Sequence, residues 1–524
     1  MNATNKKTEL LLLEERMALI KKASLEMYPN HPVKDIIFPK LVPRFTLDEV
    51  TLEDHYSEID PSQVNLSTRI GAVDLNIPFI SAAMEFSGES IAKVLFELGG
   101  CGIIHRDASE EDDSEQFNWV KSVLNHKPCL VTDPKSLKPD DKIKKVKSIK
   151  DEFGFDTIPI IDNERLVGIL FTPNVDLEMT ENLTKPVSNF LTPLRELKTV
   201  KINTPFSEIK HRLLTEPKCS SLAVVDENQK FHGIYFRKDC RWVNPIYYNN
   251  KPLVGIAISP KDEDLRKVDR ALELGVGIIV IDSSHGNCKT VIEFAEKVVK
   301  KVKGPNGLIA VVAGNVASID GYCRLAKVGV DAVKLGIGPG SICKTSDKSG
   351  VGKPMWSLIS ECAYIQRIIE DLGKYAPQLI PDGGLDTSGK VVKAIVAGGS
   401  LCMLGQVFAS AQESHFAEEE NAKKGDPTTY RGMGSIGARK KQKSNRHGYG
   451  KLSEEGTEGK IICLGPMKEW FPEFINSVQV GFGHIGAENI QQANLYSLFP
   501  HAWSFITASG QQQNSPSVKD ASEK

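Results

Sequence analysis

The sequence predicts an α/β fold: a (β/α)8 barrel built from eight strand–helix units, with a smaller module set into it. Three observations carry this. Short apolar strands alternate with helically periodic segments in two blocks, 77–105 and 253–406. The strands are continuously apolar and β-branched, as in a parallel sheet buried on both faces. Between the blocks the alternation stops, and residues 128–245 contain an internal repeat.

Taken in order, the first residues, MNATNKKTELLLLEERMALIKK, hold a leucine run broken at once by Glu14 and Glu15. They read as an amphipathic helix or a loosely attached arm rather than a signal peptide. A Pro-rich lead over 28–52 follows. IPFISAAM (77–84) is a strand, SGESIAKVLFELGG (87–100) a helix and CGIIH (101–105) a strand. This β-α-β order implies parallel pairing with right-handed crossovers. After the repeat come strands at 253–258, 277–284, 308–315, 332–335, 378–384 and 401–406. They alternate with helices at 264–275, 290–302, 318–329, 355–375 and 388–399. Eight units in all argue for the barrel. The expected domains are an arm and first barrel part (1–127), a repeat module (128–245), the rest of the barrel (246–510) with a mobile lid over 407–460, and a disordered tail (511–524). The lid reading rests on a polar, glycine-rich run too long for an ordinary connection.

The repeat pairs IPIIDNERLVGILFTPNVD (158–176) with LAVVDENQKFHGIYFRKDC (222–240), each after a helix, KIKKVKSIKDEFG and FSEIKHRLLTE. Both copies run apolar-apolar-Asp, polar turn, Gly-Ile, then a later Asp.

Composition narrows the function. The chain has 524 residues and a formal charge of −2, so no bulk electrostatic attraction to nucleic acid or anionic membrane is expected. No apolar run approaches the length of about 20 residues that spans a bilayer. Ten cysteines stand apart, without CxxC pairs. A zinc site is therefore not expected, and free thiols in a reducing compartment, the cytoplasm, are.

Chemistry concentrates after the strand at 332–335, in GIGPGSICKT (336–345). Glycines at 336, 338 and 340 let the backbone turn sharply at a strand end, where α/β folds place their sites. Cys343 stands on that bend as a candidate nucleophile, with a buried small hydrophobe as the plainer alternative. Thr345 is close enough to pass a proton, or it bonds only to its own turn.

GIGPGSICKT closely resembles the cysteine loop of the IMP dehydrogenase and GMP reductase family, and YRGMGS (430–435) a second family segment. The resemblance covers about 30–500. It implies that Cys343 attacks C2 of a purine nucleoside monophosphate, with Thr345 and Glu455 moving protons and Arg446 activating water. For the substrate it implies Met84 against the purine and Asp382 on the ribose hydroxyls. Ser341, Gly383, Gly384, Gly405 and Gln406 would lie at the phosphate, and the segment with Tyr430, Gly432 and Met433 would meet the purine, chiefly through the backbone of Gly432 and Met433. For the nicotinamide dinucleotide, NAD or NADP, it implies Asp282, Ser283, Ser284, Asn315, Gly336 and Gly338. Potassium would take carbonyls of Gly338, Gly340 and Cys343. The repeat module resembles a tandem CBS (Bateman) pair that binds regulatory purine nucleotides, with Asp176 and Asp239 on ribose. Helix capping is the alternative role for both. A homotetramer, or octamers paired through the CBS modules, is implied.

Departures from the family pattern are Glu85 where Asp is usual, Gln406 where Ser is usual, His447 where Tyr is usual, and a shortened lid. The residues leave three functions open. One is IMP dehydrogenase (IMP, NAD+ and water to XMP and NADH). The second is GMP reductase (GMP and NADPH to IMP, ammonia and NADP+). The third is a non-catalytic nucleotide sensor.

Overall fold

The computed structural model describes residues 44–106, 114–303, 309–435, 456–498 and 502–506. The chain divides into two compact units: Lys127–Asn244, and the segments on either side of it.

The larger unit is an α/β fold with eight parallel strands: β1 (Phe79–Ser81), β2 (Ile103–Ile104), β3 (Gly255–Ile258), β4 (Ile278–Asp282), β5 (Ala310–Val316), β6 (Ala332–Leu335), β7 (Gln378–Pro381) and β8 (Cys402–Leu404). β2 to β7 form one sheet in chain order. β8 pairs in parallel with β1, Met403 opposite Ile80. Single parallel bridges, Ile80 to Cys101 and Asp382 to Met403, join β1 to the entry of β2 and the exit of β7 to β8. The pairing thus passes through every strand and returns to its start. Their side chains are almost all buried, which explains the continuous apolar runs.

Helices follow the strands at Glu89–Leu98 (α1), Glu115–Leu124 (α2), Leu265–Leu274 (α3), Lys289–Val302 (α4), Ile319–Val328 (α5), Met355–Asp371 (α6) and Ser388–Val396 (α7). α1, α3 and α5 stop at Gly99, Gly275 and Gly329, each left-handed, a backbone geometry that favours glycine.

The C-terminal third corrects the sequence reading. The ends of the stretch expected as a mobile lid are regular structure: short helices at Gln406–Ala409 and His415–Glu419, and a hairpin of Pro427–Arg431 with Glu458–Ile462. Phe416, Thr428, Tyr430 and Ser435 are buried there. Residues 436–455 lie outside the described residues. An unforeseen helix, α8 (Met467–His484), follows. Its Phe471 meets Phe79 of β1 at 5.5 Å and Phe408 after β8 at 5.1 Å between ring centroids, packing over the β8–β1 join.

The smaller unit repeats one pattern twice. The helix Ile143–Phe153 precedes the hairpin of Thr157–Asp162 with Arg165–Phe171. The helix Phe206–Thr215 precedes that of Ser221–Val225 with Phe231–Phe236. Both hairpins bulge at the apolar pair before the repeated Asp, at Ile160/Ile161 and Val224/Val225. The repeated Gly-Ile has a steric reason: a Cβ on Gly168 would lie 2.4 Å from the Thr192 carbonyl, and one on Gly233 2.6 Å from that of Val131. In each copy a segment paired antiparallel alongside brings its backbone against the glycine. Asp176 uses one carboxylate oxygen to accept the Glu178 and Met179 N–H groups, at 3.0 and 3.2 Å. Asp239 lies in the short helix Arg237–Cys240.

Candidate active site

A cavity of about 810 Å3 opens at the C-terminal ends of the strands. It is lined by Met84, Asp282, Ser283, Ser284, Asn315, Gly336, Gly338, Gly340, Ser341, Cys343, Thr345, Asp382, Gly383, Gly384, Gly405, Gln406, Tyr430, Gly432 and Met433. The structure therefore gathers these predicted residues, scattered over some 350 positions, in one place. Asp176 and Asp239 belong to the other unit. Arg446 and Glu455 lie outside the described residues.

β6 delivers the cysteine loop. Gly336 and Gly338 have φ of 134° and 91°. A Cβ on Gly336 would sit 2.3 Å from the Asp382 carbonyl. The close approach of the β6 and β7 loops thus requires glycine there. The Cys343 N–H donates to the Gly340 carbonyl at 3.0 Å, and its Sγ–H to Thr345 Oγ1 at 3.3 Å. Thr345 opens the short helix Thr345–Ser349. The loop is held from the far side as well. The Thr457 N–H donates to the Ile342 carbonyl at 2.9 Å, and the Gly432 N–H to the Thr457 carbonyl at 3.0 Å.

Two carboxylates face the cavity, Asp282 at the end of β4 and Asp382 after β7. Lys334 of β6 lies between them, its Nζ 2.7 Å from Asp282 Oδ1 and 3.2 Å from Asp382 Oδ2. Its side chain is 2% exposed. Burial alone would push the ammonium pKa down, but the two carboxylates outweigh that and hold it above its ordinary value. Asn315 Nδ2 donates to Asp382 Oδ2 and to the Gly336 carbonyl, both at 2.8 Å. The Asn315 Oδ1 is buried and accepts nothing from the described residues. Arg106, after β2, donates to the Asp282 carbonyl at 2.9 Å and to Ser259 Oγ at 3.3 Å. The sequence reading missed Lys334 and Arg106. The signals were a lysine inside an apolar strand and a basic residue just past a strand end.

Tyr430 lines the cavity beside the loop after β8. A Cβ on Gly405 would stand 3.1 Å from its hydroxyl. Burial and the Asp382 charge raise the phenol pKa, against a smaller opposing effect from a hydrogen bond with Ser341. The hydroxyl stays protonated and able to donate. Gly383 and Gly384, both left-handed, lay the β7 loop against the cysteine loop.

Residues 44–516 match the IMP dehydrogenase / GMP reductase domain. The chain belongs to the IMP dehydrogenase and GMP reductase family. Inosine-5'-monophosphate dehydrogenase of Aquifex aeolicus is 34% identical over 467 residues, 86% of this chain and 92% of that protein. That of Halalkalibacterium halodurans is 32% identical over 482 residues, 90% and 95%. Two crystal structures of GMP reductase from Trypanosoma brucei share the fold at 23% identity. The one in complex with guanosine 5'-monophosphate has a TM-score of 0.61 and covers 92% of this chain and 99% of its own; the other has a TM-score of 0.66, covering 91% and 99%. Family membership implies an oxidoreductase with a purine nucleotide substrate and a nicotinamide cofactor. The acceptor-rich wall of Asp282, Ser283, Ser284 and the unpartnered Asn315 Oδ1 fits ribose hydroxyls and a carboxamide. Among the described residues no helix is long and apolar enough to cross a membrane, and no cluster of His, Cys, Asp and Glu could hold a metal ion.

Proposed function

We propose that this chain is an IMP dehydrogenase, converting IMP, NAD+ and water to XMP and NADH. The observation that carries the reading is Cys343 Sγ beside Thr345 Oγ1, in a cavity that two carboxylates, Asp282 and Asp382, also line. Asp382 accepts from the nucleotide ribose, as Asp282 with Ser283 and Ser284 does from the cofactor ribose. Backbone N–H groups at Gly383, Gly384 and Gly405 hold the phosphate, with the Ser341 hydroxyl, Gln406 and Tyr430. Met84 packs on the base, and Gly432 and Met433 meet its edge. Cys343 adds to C2 of the base, which gives up hydride and leaves a thioimidate on sulfur. Bound NAD+ supplies the hydride acceptor, flanked by Asn315, Gly336 and Gly338. Water then cleaves the thioimidate, deprotonated with the help of Arg446, while Thr345 and Glu455 relay protons. Potassium would use carbonyls of Gly338, Gly340 and Cys343, that of Gly340 also accepting the Cys343 N–H.

The strand circuit is, on this reading, a (β/α)8 barrel, supported by all-parallel pairing in chain order and by a cavity at the strand C-termini. Lys127–Asn244 is a tandem CBS module, supported by the twofold repeat and its matching bulges. There Asp176, through its second oxygen, and Asp239 would bind the ribose of regulatory purine nucleotides. A cytoplasmic homotetramer, able to pair into octamers, completes the proposal.

The test follows reduced nicotinamide by near-ultraviolet absorbance in two directions, IMP with NAD+ and potassium, and GMP with NADPH. A rise in the first is expected. A fall in the second alone replaces the dehydrogenase with the reductase. Nucleotide binding without turnover in either leaves a sensor.

A further inference from the structure

Met84 and Tyr430 line the cavity, but the residues after them turn away and meet behind it. Glu85 stands on the loop after β1 and Arg431 at the end of the hairpin strand, 346 positions apart. Arg431 Nε donates to Glu85 Oε2 at 2.7 Å, and its Nη2 donates to Oε1. The side chains are 12% and 11% exposed, and the guanidinium lies 5.1 Å over the Phe416 ring. We propose that Glu85 and Arg431 are a positioning pair that sets the spacing of the base slot, resting on the nucleotide reading above. Met84 forms one wall of that slot, and the backbone of Gly432 and Met433 the other. Each wall is one or two residues from a member of the pair. A two-point fork fixes rotation as well as distance, which a single hydrogen bond does not. Pulling the two apart would cost both hydrogen bonds of a largely buried ion pair, which resists drift of the hairpin from the β1 loop. The departure at position 85 fits this role: glutamate extends one methylene further toward the hairpin than aspartate.

The pair touches no substrate atom, so its effect is on base binding rather than on the cofactor. The experiment measures IMP dissociation constants by calorimetry, KM for both substrates, and melting temperature. Glu85→Gln and Arg431→Lys are each expected to weaken IMP binding about tenfold. The NAD+ KM should stay within about twofold of wild type, since additivity fails only among groups in contact. Glu85→Gln/Arg431→Gln is expected to bind IMP no worse than the weaker single variant. Glu85→Asp, which keeps the charge but shortens the reach, should lose part of the affinity. Variants that bind IMP as wild type does overturn the pair's role. So does an equal rise in both KM values with a lowered melting temperature, the mark of general loosening. A wild-type protein that binds IMP or GMP yet turns over neither overturns the activity proposed above, and the pair is still judged on binding alone.

Discussion

Lys334 joins the two carboxylates that face the cavity, and its removal should be felt at both. Lys334→Met leaves Asp282 and Asp382 close together without their shared cation. Breaking one side of a buried charged cluster costs about 3–5 kcal/mol. We expect that loss in chemical denaturation, with KM raised for nucleotide and cofactor together. The pH dependence has a definite sign. A lysine held above its ordinary value contributes stability that is full below the unfolded pKa of about 10.4 and is lost as pH rises through the folded value. Wild type should therefore weaken on the alkaline side by an increment absent from Lys334→Met. Cys343→Ala removes the sulfur and little volume from a half-buried loop. Turnover should fall by at least about a thousandfold, as when a nucleophile is deleted, while calorimetry still registers IMP. The glycine-rich cysteine loop was legible from its residues alone, whereas most other cavity residues were named through the family resemblance, since a glycine, serine or aspartate at a strand end can also be a plain turn. Lys334 was not legible, since within AVKL it reads as an outward-facing residue until its partners are seen.

The strand–helix alternation from 77 to 105 and from 253 to 406 was readable, because buried parallel strands and amphipathic helices differ in period. Some observed strands are shorter than expected, Phe79–Ser81 against 77–84, while Ala332–Leu335 matches its expected bounds. α8 escaped notice beyond a polar stretch and carries Pro472, which reads as a breaker. Met467, Phe471, Val478 and Phe482 nonetheless share one buried face. Phe471→Ala would open a cavity among Phe79, Phe408 and Phe474. A fully buried phenylalanine truncated to alanine costs about 3–5 kcal/mol. Urea unfolding should show that cost, and a change below about 1 kcal/mol would mean that α8 does not hold the β8–β1 join.

The smaller unit has buried clusters of its own, such as that around Ile143, Ile158 and Leu170. A repeat with its own core is expected to be separable. Joining His126 directly to Pro245 should leave kcat within about twofold and abolish any response to added adenine or guanine nucleotides. A chain that no longer folds would show that the insertion supports the larger unit. The sequence disclosed the repeat through its Asp and Gly-Ile spacing, but not the reason for the glycines, which lies in the close backbone of segments paired beside them.

The return of the pairing from β8 to β1 also sets a schedule for biosynthesis. The Phe79–Ser81 segment leaves the ribosome some 320 residues before its partner Cys402–Leu404. At about 5–20 residues per second, it waits roughly 15–65 s with one edge unsatisfied. During that interval the nascent chain exposes an apolar strand edge that β8 later covers. Refolding from denaturant has no such order of appearance, so nascent and refolded chains should differ in their need for chaperones while arriving at the same native state.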